Sequence, residues 1–162
     1  MTRGVDPSPE RLTIRQATDA DCTLCVSQST ALGGPVIAAA GRLWNLANQD
    51  CLVAGQDNDI TGWAFLDASS GLLIAMKAQK LQQGIGRALW RHALSIAPGK
   101  LTVETTDDNV TAQAFYRAMG CQLIATYPFT EVLKLKSLPT GEIILGQNRQ
   151  PIRHVLRFET TA

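Results

Sequence analysis

One stretch constrains this chain more than any other. Residues 72–76, Leu-Leu-Ile-Ala-Met, form an unbroken apolar run, and after a short polar link Gly84-Ile85-Gly86 opens a segment in which Ile85, Ala88, Leu89, His92, Ala93 and Ile96 recur at helical spacing. An apolar run without alternation suits a strand covered on both faces, and the periodic segment suits an amphipathic helix packed on that strand. The pair predicts a central strand over residues 72–77 that feeds a helix through a glycine turn. Pro98-Gly99 stops the helix before another strand candidate at residues 101–104.

The flanking segments extend the pattern. Leu12-Thr13-Ile14-Arg15-Gln16 alternates like a half-buried strand, and Thr18 with Asp19 and Asp21 reads as the capped start of a helix ended by Gly33-Gly34-Pro35. Residues 36–48 read as a second helical stretch, interrupted by Gly41. Residues 51–54 and 60–66 read as antiparallel strands joined by a turn-rich link. Asn109 caps a helix marked by Ala112, Phe115, Tyr116 and Met119 and closed by Gly120. Apolar segments at 123–126, 132–135, 143–145 and 155–158 read as strands, so the expected fold class is α+β, with a loose tail over 1–10 and one domain over 11–162.

Composition removes several functions. The charge is +1 with 18% charged residues and no Lys/Arg run, so the electrostatic footprint of a nucleic-acid binder is missing. No apolar run is long enough to cross a membrane and no signal-type segment opens the chain, which predicts a cytoplasmic protein. Cys22, Cys25, Cys51 and Cys121 are expected to be free thiols. Cys22-x-x-Cys25 lacks a second ligand pair at zinc spacing and reads as two helix-face packing residues, so no metal is expected.

Glycines at a strand-to-helix turn let unpaired backbone amides approach an anion, and the helix dipole favours it. An ordinary turn remains the alternative at this point. A nicotinamide-type reading fits poorly, because Leu89 stands where GxGxxG needs its third glycine and no acid is placed for a ribose.

A second segment completes the pattern: Thr105-Thr106-Asp107-Asp108-Asn109, then Ala112, Tyr116 and Gly120. Together the two segments resemble the GNAT superfamily of acyl-CoA-dependent N-acyltransferases, which pairs Q/R-x-x-G-x-G/A with a later N-x-x-A-x-x-x-Y-x-x-x-G. Asn109, Ala112, Tyr116 and Gly120 match the latter position for position, and residues 133–139 and 151–159 are similar to a bacterial branch of the superfamily. The resemblance covers roughly residues 12–127. It implies a twisted, mostly antiparallel mixed sheet with helices on both faces, and a splayed parallel central pair made by the strands at 72–76 and 101–104.

It also implies acetyl-CoA as co-substrate and acetyl transfer to a primary amine, on a small molecule or a protein, by direct attack. The implied cofactor-binding residues are Ala75, Met76, Gln82, Gln83, Gly84, Ile85, Gly86, Arg87, Ala88, Asn109, Ala112, Phe115 and Tyr116. Asn109 and Tyr116 are two helical turns apart, about 10 Å, on one face. Tyr116 is the expected general acid for the leaving thiolate, a packing tyrosine being the alternative.

Two departures limit the mechanism. Leu81 stands at the Gln/Arg position of the loop, and the strand at 72–76 carries no acid to serve as base. Glu104 is the substitute candidate for base, with an ordinary strand-end acid as its alternative. Arg42, Trp44 and Trp63 are candidates for an acceptor pocket, whereas His92 and His154 read as structural. A non-catalytic acyl-CoA-binding or regulatory module is the competing function. A homodimer through an exposed strand at 143–145 or 155–158 is a further expectation.

Overall fold

The structure, a computed structural model, describes residues 12–32, 34–56, 59–79 and 84–161. The tail at 1–10 and the expected ligands Gln82 and Gln83 lie outside the described residues, as does Leu81. Four helices, α1 (Asp19–Gln28), α2 (Ile85–Ile96), α3 (Val110–Ala118) and α4 (Thr130–Leu135), accompany strands β1 (Leu12–Gln16), β2 (Val36–Ala39), β3 (Arg42–Asn45), β4 (Asp50–Gln56), β5 (Asp59–Asp67), β6 (Leu72–Ala78), β7 (Thr102–Thr106), β8 (Cys121–Pro128), β9 (Ile144–Leu145), β10 (Pro151–Ile152) and β11 (His154–Thr160). Seven strands form one sheet in the order β1-β4-β5-β6-β7-β11-β8, antiparallel throughout except for β6 beside β7. The α+β class is as the sequence predicts, and the central parallel pair is as the resemblance implies.

Alternation along the strands builds two cores, one on each face. Leu52, Ala64, Leu73 and Val103 join Leu89 and Trp90 of α2 and Tyr116 of α3. Val53, Trp63, Leu72 and Ile74 join Cys25 of α1 and Trp44 of β3. Cys25 is buried on α1 while Cys22 is half-buried, the packing role expected of that pair, and all four cysteines are free thiols. At the start of α1, Asp21 N–H donates to Thr18 Oγ1 and Thr18 N–H donates to Asp21, so the cap legible in the sequence is a full capping box.

Three expectations are corrected. Residues 36–48 are not a helix: β2 and β3 form a hairpin whose two turn residues, Ala40 (φ 52) and Gly41 (φ 76), both lie in the left-handed region. A two-residue turn of that handedness matches the twist of an antiparallel pair, so Gly41 punctuates a hairpin where a helix was expected. Residues 132–135 belong to α4 and not to a strand, since their apolar residues Val132, Leu133 and Leu135 make one turn of helix that buries Leu133. The strand at 155–158 cannot be a dimer edge, because β11 is paired on both sides, with β7 and β8; the edges of the large sheet are β1 and β8.

Candidate active site

The parallel pair is very short. Only Leu72↔Thr102 and Leu73↔Val103 are in register. At that point β6 carries a bulge, since Leu73 faces Leu66 and Ala75 faces Phe65, leaving Ile74 as the extra residue. A bulge bends its strand and sharpens its twist. Beyond it, β6 continues its ladder with β5 and β7 its ladder with β11, but the edges that face each other have separated. The opening is a cleft of about 550 Å³ lined at its centre by Ala75, Met76, Glu104, Thr105, Asn109 and Tyr116.

Two helix starts lie close together here: Asn109, at the start of α3, lines the cleft, and the first turn of α2 packs against α3. Gly84 takes φ +77 and ψ 2, a left-handed conformation costly to residues with a Cβ, and it supplies no side-chain cap to α2. The first helical bond of α2 runs from Ala88 N–H to Gly84 O, so the amides of Ile85, Gly86 and Arg87 have no partner within the helix. A Cβ at Gly86 would lie 3.4 Å from the Phe115 ring, so glycine keeps the first turn of α2 close to α3. Arg87 is exposed beside these amides. Asn109 caps α3, its Oδ1 accepting from Ala112 N–H at 3.0 Å, and this leaves its amide NH₂ for other partners.

Tyr116 lies deeper, 8% exposed, its ring packed within 5.6–5.9 Å of those of Phe115, Trp90 and Phe158. Burial, with the nearby Cys121 second, pushes its phenol well above the ordinary tyrosine range. The hydroxyl therefore keeps its proton at neutral pH.

Glu104 also reaches the cleft, but its oxygens are occupied. Oε1 accepts from Tyr127 Oη–H and from Ala40 N–H at 3.0 Å, and Oε2 accepts from Arg157 Nε–H at 2.7 Å; the side chain is 4% exposed. With both lone pairs of Oε1 taken and a guanidinium on Oε2, this carboxylate is engaged as a structural acceptor. Hydrogen bonding to it raises the pKa of Arg157, and burial followed by the same carboxylate raises that of Tyr127. The network pins the β2–β3 turn to β7.

The other candidates do not gather here. Trp44 donates to Ala39 O at 2.9 Å under the Arg42 guanidinium, and Trp63 donates to Gln28 at 2.8 Å; both tryptophans are core. His92 sits half-buried on α2, and His154 approaches Asp107 at 3.4 Å outside the cleft. Phe129, Val132 and Lys136, at α4, and Asp108, in the β7–α3 turn, also line the cleft; none of the four is singled out individually by the sequence. No group of three or more potential metal ligands occurs among the described residues. Among the same residues, no helix is long and apolar enough to cross a membrane.

A split parallel pair flanked by a glycine-opened helix and an Asn-capped one agrees with what comparison finds. The family described as Acetyltransferase (GNAT) family matches residues 34–121, more than half of the chain. This chain belongs to the GNAT family of acetyltransferases. Its fold is shared by a GNAT family acetyltransferase from Elizabethkingia anophelis with acetyl-CoA bound, at TM-score 0.66 and 17% identity over 94% of this chain and 99% of that one. It is shared equally by an acetyltransferase from Salmonella typhimurium with acetyl-CoA, at TM-score 0.61 and 15% identity over 93% and 94%. An IAA acetyltransferase from Bacillus cereus matches at TM-score 0.63 and 18% identity over 92% and 98%. No curated protein sequence matches the chain.

Proposed function

We propose that this GNAT protein transfers an acetyl group from acetyl-CoA to a primary amine. The observation that carries the proposal is the separation of β6 from β7 at the Ile74 bulge, with α2 packed on β6 and its Ile85, Gly86 and Arg87 amides left without a partner inside the helix. Those amides, at the positive end of α2 and beside Arg87, suit a diphosphate. The absence of a Cβ at Gly86 keeps the approach open. Asn109, Ala112 and Phe115 flank the path from those amides to Tyr116, and the inner edge of β6 at Ala75 and Met76 offers ladder amides that no strand uses. When bound, acetyl-CoA supplies a thioester carbonyl as the acyl donor.

In this reading the acceptor amine attacks directly in a ternary complex: its nitrogen forms a bond to the acetyl carbon, and the carbon–sulfur bond breaks. A β6 amide polarises the carbonyl oxygen. Tyr116, held protonated by burial, gives its proton to the departing thiolate and recovers one from solvent. The incoming ammonium first loses a proton to water, because Glu104 is already committed to Tyr127, Ala40 and Arg157; the neutral amine attacks, and a second nitrogen proton passes to solvent as the adduct collapses to the amide. Orientation of the two reactants in one cleft contributes much of the rate.

The same commitment of Glu104, with no acid on β6, favours a second reading as a non-catalytic acyl-CoA-binding module. Titration calorimetry with acetyl-CoA and a coupled assay for released CoA thiol separate the two. Transfer predicts thiol release with at least one amine and a fall in kcat of at least about tenfold in Tyr116→Phe, with acetyl-CoA affinity retained. Binding without release for every amine supports the module, and no heat at millimolar acetyl-CoA removes both.

A further inference from the structure

The cleft passes through the sheet. Leu73 and Val103 belong to the core shared with Tyr116, whereas Leu72 and Ile74 belong to the core of α1 and the β2–β3 hairpin. A donor that enters past α2 and α3 therefore meets an acceptor arriving from the hairpin side. That side is walled by Leu32, by Ile37 of β2, by Phe129 and Val132 at α4, and by Ile152 of β10. α4 packs against β2, so these walls face each other across the opening. Five apolar side chains from four segments are a marked concentration for a surface that must admit a polar nitrogen.

Charge points the same way. Among the described residues, the ionisable side chains lining the cleft are Glu104, Asp108 and Lys136 together with the Tyr116 phenol. Two carboxylates and one ammonium sum to a formal charge of −1, and Arg157, 2.7 Å from Glu104, brings the sum to zero. A polyamine carries several ammonium groups that each need a counter-charge once desolvated, and this wall has no surplus to offer. The volume is also small, about 550 Å³ for the reacting ends of both donor and acceptor together. A polypeptide would in addition need a groove on either side of its lysine, but the hairpin tip is fastened across this side by Ala40 N–H on Glu104.

We infer that the acceptor is a compact primary amine with an apolar body, aryl-alkyl or branched alkyl, in preference to a polyamine or a peptide lysine. The inference rests on the acetyl-transfer reading above and adds the substrate class to it. The amine nitrogen lies toward Tyr116 and Thr105 while the body lies among Ile37, Phe129 and Val132.

The test uses the full chain with saturating acetyl-CoA and records thiol release with 2-phenylethylamine, isoamylamine, spermidine and a lysine-containing tripeptide. The expected kcat/KM for the better of the two apolar amines exceeds that for spermidine and for the tripeptide by at least about tenfold. Equal or better turnover of spermidine or the tripeptide overturns the inference and leaves acetyl transfer standing. Release with none of the four, while calorimetry still detects acetyl-CoA, overturns this substrate class; extension to a wider amine panel then decides the fate of the transfer reading.

Placing a carboxylate in the wall should reverse the preference. Ile37→Asp, from the hairpin, and Val132→Asp, from α4, are each expected to lower the ratio of apolar amine to spermidine by at least about tenfold. The two sit on different elements, so misfolding of one leaves the other to decide. An unchanged ratio in a variant that folds and binds acetyl-CoA means the wall does not touch the acceptor, and the inference fails.

Discussion

The two mouths of the cleft are built from different materials. On the α2–α3 side the groups proposed to hold the donor belong to the main chain or to a helix cap: the amides of Ile85 to Arg87, the Asn109 cap and the unused edge of β6. On the hairpin side they are side chains drawn from Leu32, β2, α4 and β10. Backbone groups are the same in every protein, so the first mouth needs only a few residues that let them be approached. Side chains differ, so the second mouth can change with every acceptor. The contrast explains how one fold keeps a common donor and varies its partner.

The contrast can be broken most directly at the glycines. The double change Gly84→Val and Gly86→Val forces a branched residue into a left-handed turn and pushes a side chain at Phe115; calorimetry should give acetyl-CoA binding about 100-fold weaker, about 2.7 kcal/mol. Unchanged affinity would mean that the donor sits elsewhere. Glu104→Ala tests the other mouth. It removes the acceptor shared by Tyr127, Arg157 and Ala40, and should lower unfolding free energy by about 2 kcal/mol in urea, while acetyl-CoA affinity stays within about twofold.

A smaller effect is expected from Asn109→Ala, which leaves Ala112 N–H uncapped and costs about 1 kcal/mol of stability by chemical denaturation. The smallest is alkaline. Burial raises the Cys121 thiol from 9.0 to about 11 and moves the Tyr116 and Tyr127 phenols in the same direction. Unfolded chains then lose these protons before folded ones do, so stability is complete below about pH 9 and declines as pH rises beyond it. Melting curves at pH 8 and 10 should differ by about 2–4 °C, with Cys121→Ala narrowing the gap.

How much could be read in advance follows the same division. The β6 run, the Gly84 turn, the Thr18 and Asn109 caps and the Ala112/Tyr116 face are local signals, and each appears in the structure where the sequence puts it. The hairpin was hidden because Val36-Ile37-Ala38-Ala39 and Arg42-Leu43-Trp44-Asn45 do not alternate cleanly, and only the paired left-handed residues Ala40 and Gly41 mark the turn. α4 was hidden because six residues are too few to show a helical period. Glu104 was found as a cleft residue, but its commitment depends on Tyr127 and Arg157, 23 and 53 positions away, which no local pattern encodes.

A sheet whose middle ladder has two rungs is mechanically two plates, β1-β4-β5-β6 and β7-β11-β8, joined by that seam and the Thr102 N–H to Gly71 O bond. A ligand that lies along the seam and bonds to both rims works as a spline between them. Its occupancy then stiffens the whole molecule, raising the melting temperature with donor concentration and slowing amide exchange along both rims together. Cellular supply of the thioester would in that way set the protein's lifetime as well as its turnover.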